Sequence, residues 1–385
     1  MRSPDERPDL LIECLKENIK PDELTALRQT LFSDMENLQG VITSAARWQI
    51  VESALHAMRQ KGLLHPIDGK TNTGQGIRHE LAEMEEFLAA RRKKQRDGLL
   101  EIIGSLNSVG VTPLMLKGSV SLLSGQPWWR SQRDIDFYVH RSEAQTAIQA
   151  LREIGYEDVP DATTSITHHH LPPMHRADFP AYVEPHIYLS GRQSRYLLPD
   201  KYLLENAINA EFAGVSVRLL RFDHFLLFGM MHHHFQNLGT VFGTINLKGL
   251  LEFSHANASL DDQSGKQLAT TLSNRPRLAS AYDLWAAASE EILGSRPVTD
   301  TSSVSKERAR AIRKRIADGC VATQSEALKE DIRGSMATLR RMNTGPSGVL
   351  VLSNLLLRPC LESLTRRSAK HGFAKDRKVS GLREP

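Results

Sequence analysis

The chain has little cysteine, no long apolar run and only a weak excess of positive charge. Three cysteines, Cys14, Cys320 and Cys360, are spread over 385 residues, and their spacing fits neither a zinc site nor a disulfide framework. The most apolar segment, residues 348–357, is too short to span a bilayer, and the N-terminus lacks the apolar stretch of a secretory signal. A formal charge of +4 does not by itself indicate a nucleic-acid partner. We therefore expect a cytoplasmic protein without a membrane segment.

Apolar periodicity divides the chain into helical and mixed regions. Residues 21–65 and 77–106 have apolar side chains at helical spacing, and the Thr-, Asn- and Gly-rich residues 69–76 between them are typical of a loop. Short predicted strands and helices then alternate: strands at 111–116 and 135–139, helices from 119 and over 141–154, and a hairpin of 164–171 with 181–189. From residue 203 the pattern is mostly helical, with a linker at 294–305. This mixture predicts an α/β or α+β core.

Two carboxylates, Asp134 and Asp136, flank Ile135 in one of the predicted strands. Because strand residues i and i+2 point the same way, the carboxylates should converge while Ile135 turns into the core. Paired carboxylates need a positive charge between them. A divalent cation such as Mg²⁺ is the favoured solution, since it prefers oxygen ligands and substrate phosphates; the alternative is a salt-bridge network with Arg130 and Arg133 without metal.

Lys117, Gly118 and Ser119 lie between a predicted strand and a predicted helix. Glycine lets the backbone approach a phosphate, the helix supplies N–H donors, and Ser119 adds a hydroxyl. Lys117 either neutralises phosphate charge or is a surface lysine at the end of a strand. A small-residue turn beside a carboxylate pair is typical of phosphoryl-type transfer from a nucleotide.

Glu184, on another predicted strand, is a candidate third carboxylate. Three carboxylates around two Mg²⁺ ions would activate a hydroxyl nucleophile and stabilise the leaving oxygen. The following residue, Pro185, favours an edge strand or a strand end.

Clustered histidines are the rival signal for a metal site. A zinc or iron site is conceivable from several of them: His168, His169, His170, His175, His186, His232, His233 and His234. Consecutive histidines, however, diverge around a helix or across a strand, and no His-Glu-x-x-His pattern occurs. His168 to His175 could instead line a nucleotide pocket. Trp128 and Trp129 favour core packing or a pocket wall over base stacking.

Several of these motifs together resemble the DNA polymerase β-like nucleotidyltransferase superfamily, and within it the bacterial group of uncharacterised nucleotidyltransferase family proteins. The matching segments are Leu116-Lys117-Gly118, Arg130 through Asp134-Ile135-Asp136, Leu151 through Gly155-Tyr156, and Val183-Glu184-Pro185-His186. The resemblance covers about residues 40–255. The chain departs from the group at Pro185, where an apolar strand residue is usual, and at Gly249, where relatives often carry Asp.

The resemblance implies an α+β fold with a small mixed sheet and helical regions on both sides. We expect an N-terminal helical region at 1–95, a nucleotidyltransferase core at 96–200, a helical domain at 201–295, and a C-terminal helical extension with a basic tail at 296–385. Asp134, Asp136 and Glu184 would be the catalytic and metal-binding residues. Lys117, Gly118, Ser119 and Arg130 would bind the nucleotide.

The implied reaction moves a nucleoside monophosphate from a nucleoside triphosphate, with ATP as the expected donor, to a hydroxyl-bearing acceptor. It would use two Mg²⁺ ions, with Mn²⁺ as a substitute, and release pyrophosphate. The acceptor is left open among a small molecule, a peptide, a protein and an RNA. Two alternatives are a non-catalytic nucleotide-binding or toxin–antitoxin-type module, and a histidine-metal hydrolase.

Overall fold

A computed structural model of the chain describes residues 6–64, 72–125, 132–160, 170–190, 192–236, 245–295 and 299–318. Several residues that the sequence singled out lie outside this part of the chain: Arg130, Trp128, Trp129, His168, His169, Cys320, Cys360 and the basic tail. The described residues all belong to one compact unit. The division into four regions stays a prediction.

The N-terminal part folds into helices, as its periodicity predicts. They are α1 (Pro8–Leu15), α2 (Pro21–Ser33), α3 (Met35–Arg47), α4 (Val51–Gln60) and α5 (Asn72–Ser108). Proline begins α1 and α2, where its missing N–H has no helical partner to lose. The Asp34 side chain caps α3 by accepting from the backbone N–H of Glu36. The loop predicted at 69–76 is too long, because α5 already begins at Asn72.

A seven-stranded mixed sheet follows, which confirms the α+β class. Its strands are β1 (Leu114–Met115), β2 (Asp134–Tyr138), β3 (Glu157–Asp158), β4 (Met174–His175), β5 (Tyr182–His186), β6 (Ile208–Phe212) and β7 (Val215–Leu219). Their order in the sheet is β3-β4-β5-β2-β1-β7-β6. The pairs β2–β5 and β1–β7 are parallel, and the other neighbours are antiparallel.

Two parts of the predicted strand pattern need correction. The helical prediction from residue 203 is wrong for β6 and β7, a hairpin whose turn residues Ala213 and Gly214 both have positive φ. Of the hairpin predicted from 164–171 and 181–189, the second segment contains β5, and residues 164–169 of the first lie outside the described part of the chain. Strand β4, which follows the prolines, is an antiparallel neighbour of β5 that the sequence did not predict. His170 also bridges to His186 on β5.

Further helices surround the sheet. They are α6 (Gly118–Ser124), α7 (Ala144–Glu153), α8 (Arg192–Leu197), α9 (Asp200–Glu205), α10 (Phe222–Met231), α11 (Leu247–Ala258), α12 (Asp262–Ser273), α13 (Pro276–Ala288) and α14 (Ser303–Ala317). Two π-helical segments, His232–Gln236 and Ser289–Leu293, extend α10 and α13. Because α14 begins at Ser303, the linker predicted at 294–305 is shorter than expected. Within the described ranges, no helix combines the length and the apolarity that crossing a membrane needs.

The two faces of the sheet contribute to different cores. Ile135 and Phe137 of β2 pack with apolar residues of α5, including Ile102 and Ile103. Tyr138 belongs to the second core, which the N-terminal helices share with α10, α11 and α13. Because alternate strand residues face opposite sides, Asp134 and Asp136 lie on the face of the sheet away from α5. Ile135 is buried in the core, as the sequence predicts.

Candidate active site

The parallel pairing of β2 with β5 brings the predicted carboxylates together. Asp136 is the register partner of Glu184, and Asp134 is the partner of Tyr182. In a parallel pair, register partners lie side by side on one face of the sheet. His186, two residues after Glu184, therefore shares that face and is the partner of Tyr138. The carboxylates are thus neighbours although 48 positions separate Asp136 from Glu184 in the sequence.

Asp136 is the most constrained of the acids. Its Oδ1 accepts a hydrogen bond from the Lys117 ammonium at 2.6 Å and lies 3.0 Å from His186 Nε2. Burial by itself would raise the pKa of Asp136. The charge of Lys117 and the hydrogen bonds from His186 and Lys117 outweigh burial and hold the pKa well below its usual range. Asp136 is therefore ionised at any physiological pH.

The pKa values of the other two acids, Glu184 and Asp134, are shifted in the opposite direction. Burial, followed by repulsion from Asp136 and Asp134, raises the pKa of Glu184 to about 7. Burial and the Asp136 carboxylate also raise the pKa of Asp134, against the opposing charges of Lys117, Arg133 and Lys248. Three carboxylates thus share a region with too little positive charge for all of them. This imbalance is what a bound cation would relieve.

One group of metal-ligating atoms is compact in the described part of the chain. Ligand atoms of Asp136, Glu184 and His186 all lie within 4.8 Å of one another. Asp136 and Glu184 belong to the predicted triad, and His186 is an addition. Its signal in the sequence is the i+2 spacing from Glu184. Burial lowers the pKa of His186, which keeps the imidazole neutral as a ligand must be. Two oxygens and one nitrogen suit a divalent cation.

The turn before α6 is fixed to β2 by hydrogen bonds. Ser119 Oγ accepts from the Asp136 backbone N–H at 2.9 Å, and the Leu116 N–H donates to the Asp136 carbonyl at 3.1 Å. Gly118 and Ser119 are buried. Lys117 has φ 47° and ψ −129°, a conformation that non-glycine residues rarely adopt. This backbone conformation accompanies the placement of its ammonium on Asp136. The largely buried side chain is not that of a surface lysine, and the role of Lys117 at a phosphate stays a prediction.

A cavity of about 230 Å³ opens beside Asp134 and Asp136. The opposite wall comes from α10, the π-helical segment after it and α11. The charged residues that line the cavity as a whole are Lys117, Arg133, Asp134, Asp136, Lys248 and Glu252. The aromatic residues Phe225, Phe228 and Phe253 also line it. The cavity therefore joins the acidic face of the sheet to helices that begin 86 or more residues after Asp136 in the chain.

The histidines after α10 have packing roles in this wall. The ring of His233 lies so close to α11 that a Cβ on Gly249 would stand 2.4 Å from its Cδ2 atom. His233 also contacts the Trp285 and His232 rings, with centroids 6.1 and 5.2 Å apart. His234 Nδ1 accepts from the Trp285 indole N–H at 3.0 Å.

These contacts do not form the histidine-metal site that was the rival prediction. In the described ranges, the one compact group of three ligands has His186 as its only histidine. The packing of His233 also explains the departure at Gly249, because a side chain at that position would meet the imidazole ring.

Comparison with known families gives a match. The model of the uncharacterised nucleotidyltransferase family matches residues 35–294, a range that includes the sheet, the carboxylates and the cavity wall. Comparison with curated proteins gives no match.

Proposed function

Because the chain belongs to the uncharacterised nucleotidyltransferase family, we propose that it transfers a nucleoside monophosphate from a nucleoside triphosphate to a hydroxyl-bearing acceptor. ATP is the expected donor, and Mg²⁺ or Mn²⁺ the expected cofactor. The observation that carries the proposal is the register of β2 and β5, which places Asp136 beside Glu184 with Lys117 on the same carboxylate. In the reaction the acceptor oxygen bonds to the α-phosphorus and releases its proton, and the bond to the leaving pyrophosphate breaks.

We assign the cation to Asp136, Glu184 and His186, with Asp134 as a further ligand from the cavity side. This keeps the predicted acids Asp134, Asp136 and Glu184 as the catalytic residues. Bound divalent cations would polarise the α-phosphate and stabilise the leaving oxygen. The imidazole nitrogen suits Mn²⁺ better than Mg²⁺, whereas the carboxylates suit both.

The remaining site residues would hold the triphosphate. Lys117 and Arg133 line the cavity beside the acids and bring positive charge to it. Gly118 and Ser119 keep the turn against β2, so that Lys117 is presented at a fixed position. We assign the predicted phosphate contacts first to Lys117, which lines the cavity; Gly118 and Ser119, the other two predicted residues, are buried and are not among the residues that line it. Arg130, which the sequence also predicts to bind nucleotide, lies outside the described residues.

A labelling experiment tests the proposal. Purified protein is incubated with each α-³²P-labelled nucleoside triphosphate and Mg²⁺ or Mn²⁺, with and without host cell extract. We expect label on a small molecule, peptide, protein or RNA with the wild type, and a loss of at least about a hundredfold with Asp134→Asn, since a required charge at the transfer site is removed. Asp158→Asn, which changes an exposed aspartate on β3, is the matched control and should transfer label normally. Equal labelling by wild type and Asp134→Asn would contradict the proposal.

A further inference from the structure

Gln49 enters the cavity from a part of the chain far from the acids in sequence. It follows Trp48 at the end of α3 and precedes α4, and it lines the same cavity as Lys117, Asp134 and Asp136. Of the cavity-lining residues, it is the one contributed by the N-terminal helices. The turn between α3 and α4 thus supplies a neutral carboxamide to a cavity that is lined by six charged residues and by two further carboxamide residues, Gln132 and Asn246.

The backbone at Gln49 adopts a conformation that favours glycine. Its φ is 59°, and the hydrogen bonds around it form a Schellman motif. The Gln49 N–H donates to the Ala46 carbonyl at 3.0 Å, and the Ile50 N–H donates to the Ala45 carbonyl at 2.9 Å. In this motif the left-handed residue is usually glycine, because glycine has no Cβ to clash with the backbone. Glutamine at this position therefore carries a conformational cost that glycine would not.

Positive φ at non-glycine residues is rare in the described part of the chain. It occurs at Gln49, Lys117 and Ala213. Ala213 lies in the β6–β7 turn, whose geometry calls for this conformation just as the Schellman motif does at Gln49. The other two both line the cavity. Backbone strain tends to persist where a side chain is needed at a defined place, and Lys117 shows this directly through its contact with Asp136.

The chemistry of the cavity indicates what Gln49 would contact. A carboxamide offers two donors and one acceptor and carries no charge, so it suits an uncharged hydrogen-bonding edge rather than a phosphate. Phe225, which is half-buried, adds a flat apolar surface to the same cavity, whereas Phe228 and Phe253 line it from the core and are almost completely buried. A nucleobase combines a flat apolar face with an edge of donors and acceptors. We propose that Gln49 is a specificity-determining residue that recognises the base of the bound nucleoside triphosphate, an inference that rests on the proposed function.

The Schellman geometry makes a clean test available. Gln49→Gly removes the carboxamide and at the same time relieves the positive φ, so the variant should melt at the same temperature as the wild type or higher. Ala213→Gly relieves the same kind of strain at the remote β6–β7 turn and is the matched control. Dissociation constants of the α,β-methylene analogues of ATP, GTP, CTP and UTP would be measured by calorimetry with Mg²⁺ for all three proteins, beside their melting temperatures.

We expect the wild type to prefer one base and Gln49→Gly to bind that nucleotide about tenfold more weakly, as loss of a base-reading amide pair implies. Affinity for the other three nucleotides should change less than twofold, and Ala213→Gly should match the wild type. The assignment of Gln49 would be overturned, while the proposed function would stand, if Gln49→Gly left the four affinities and their order unchanged or weakened binding of all four nucleotides equally. The assignment would also be overturned if the wild type bound all four nucleotides with the same affinity. If the wild type binds none of the four nucleotides, the proposed function fails together with this inference.

Discussion

The two aspartates of β2 differ in burial, in hydrogen bonding and in their relation to Lys117. Asp136 is buried and bonded to Lys117 and His186, whereas Asp134 is half-buried and its pKa is raised. Neutralising Asp136 would leave a largely buried ammonium without its counterion, which is costly. Neutralising Asp134 would instead remove a negative charge that burial and the neighbouring Asp136 carboxylate make unfavourable. The two aspartates should therefore differ in their effect on stability, although the proposed function requires both for transfer.

We predict that Asp136→Asn lowers the free energy of unfolding by about 2–4 kcal/mol, whereas Asp134→Asn changes it by less than about 0.5 kcal/mol or raises it slightly. Urea denaturation without divalent cations measures both values. A double variant, Lys117→Met with Asp136→Asn, serves as the control, because it removes the pair as a whole and should recover part of the loss. Equal destabilisation by the two single variants would show that the ion pair between Asp136 and Lys117 does not contribute to the free energy of unfolding.

Helix α11 and the π-helical segment after α10 meet so closely that only glycine fits between them. The imidazole of His233 lies against the backbone of Gly249, and its other side contacts the Trp285 ring. The position of the cavity wall therefore depends on the packing of two elements rather than on any single contact with substrate. The π-helical geometry turns His232 and His233 into this wall, and π-helical turns are often found at functional sites.

Gly249→Ala should destabilise the protein by about 1–3 kcal/mol, because the added methyl group would stand 2.4 Å from the His233 ring. The matched control is Gly265→Ala on α12, where no atom lies within 4 Å of the added Cβ. This control should gain about 0.5–1 kcal/mol from higher helix propensity. Thermal unfolding of both variants makes the comparison. A Gly249→Ala variant as stable as the control would mean that His233 moves away without cost.

At the scale of the whole molecule, the charged site couples stability to pH and, if the proposed function is right, to metal. The pKa of Glu184 is about 7 in the folded protein and near 4.5 in an unfolded chain. Between these pH values the folded state holds a proton that the unfolded state lacks. The stability that protonated Glu184 contributes is therefore complete below pH 4.5 and is lost as the pH rises through about 7.

In the Glu184→Gln variant the side chain at position 184 cannot ionise, so the variant should keep at high pH the stability that the wild type loses. We predict that, without metal, the variant is more stable than the wild type at pH 8 by about 1–2 kcal/mol, and that the difference vanishes near pH 4.5. Mn²⁺ or Mg²⁺ should stabilise the wild type at pH 8 but not the variant, because ligand binding to the folded state adds stability. Glu211→Gln, at an exposed glutamate on β6, should follow the wild type throughout. Identical pH profiles for wild type and Glu184→Gln would contradict the prediction.

The sequence by itself determined the local pattern of this protein. The alternation of Asp134, Ile135 and Asp136 fixed which side chains face the core, and helical periodicity placed the long α5 and the helix before Gly155. These features depend on neighbours in the chain, so local physics is enough to predict them. The hairpin of β6 and β7 escaped prediction because its residues are mostly exposed or half-buried, and a helical interpretation of the same short runs was equally consistent with their composition.

Only the tertiary structure decided how the site is assembled. The register that sets Asp136 beside Glu184, the contact of Lys117 with Asp136, and the addition of His186 all depend on strand pairing between distant segments. The same holds for Gln49 and for Gly249, which reach one cavity from opposite ends of the matched region. Pairing over such distances is governed by the burial of whole faces and by the closure of long loops. No window of the sequence contains either quantity.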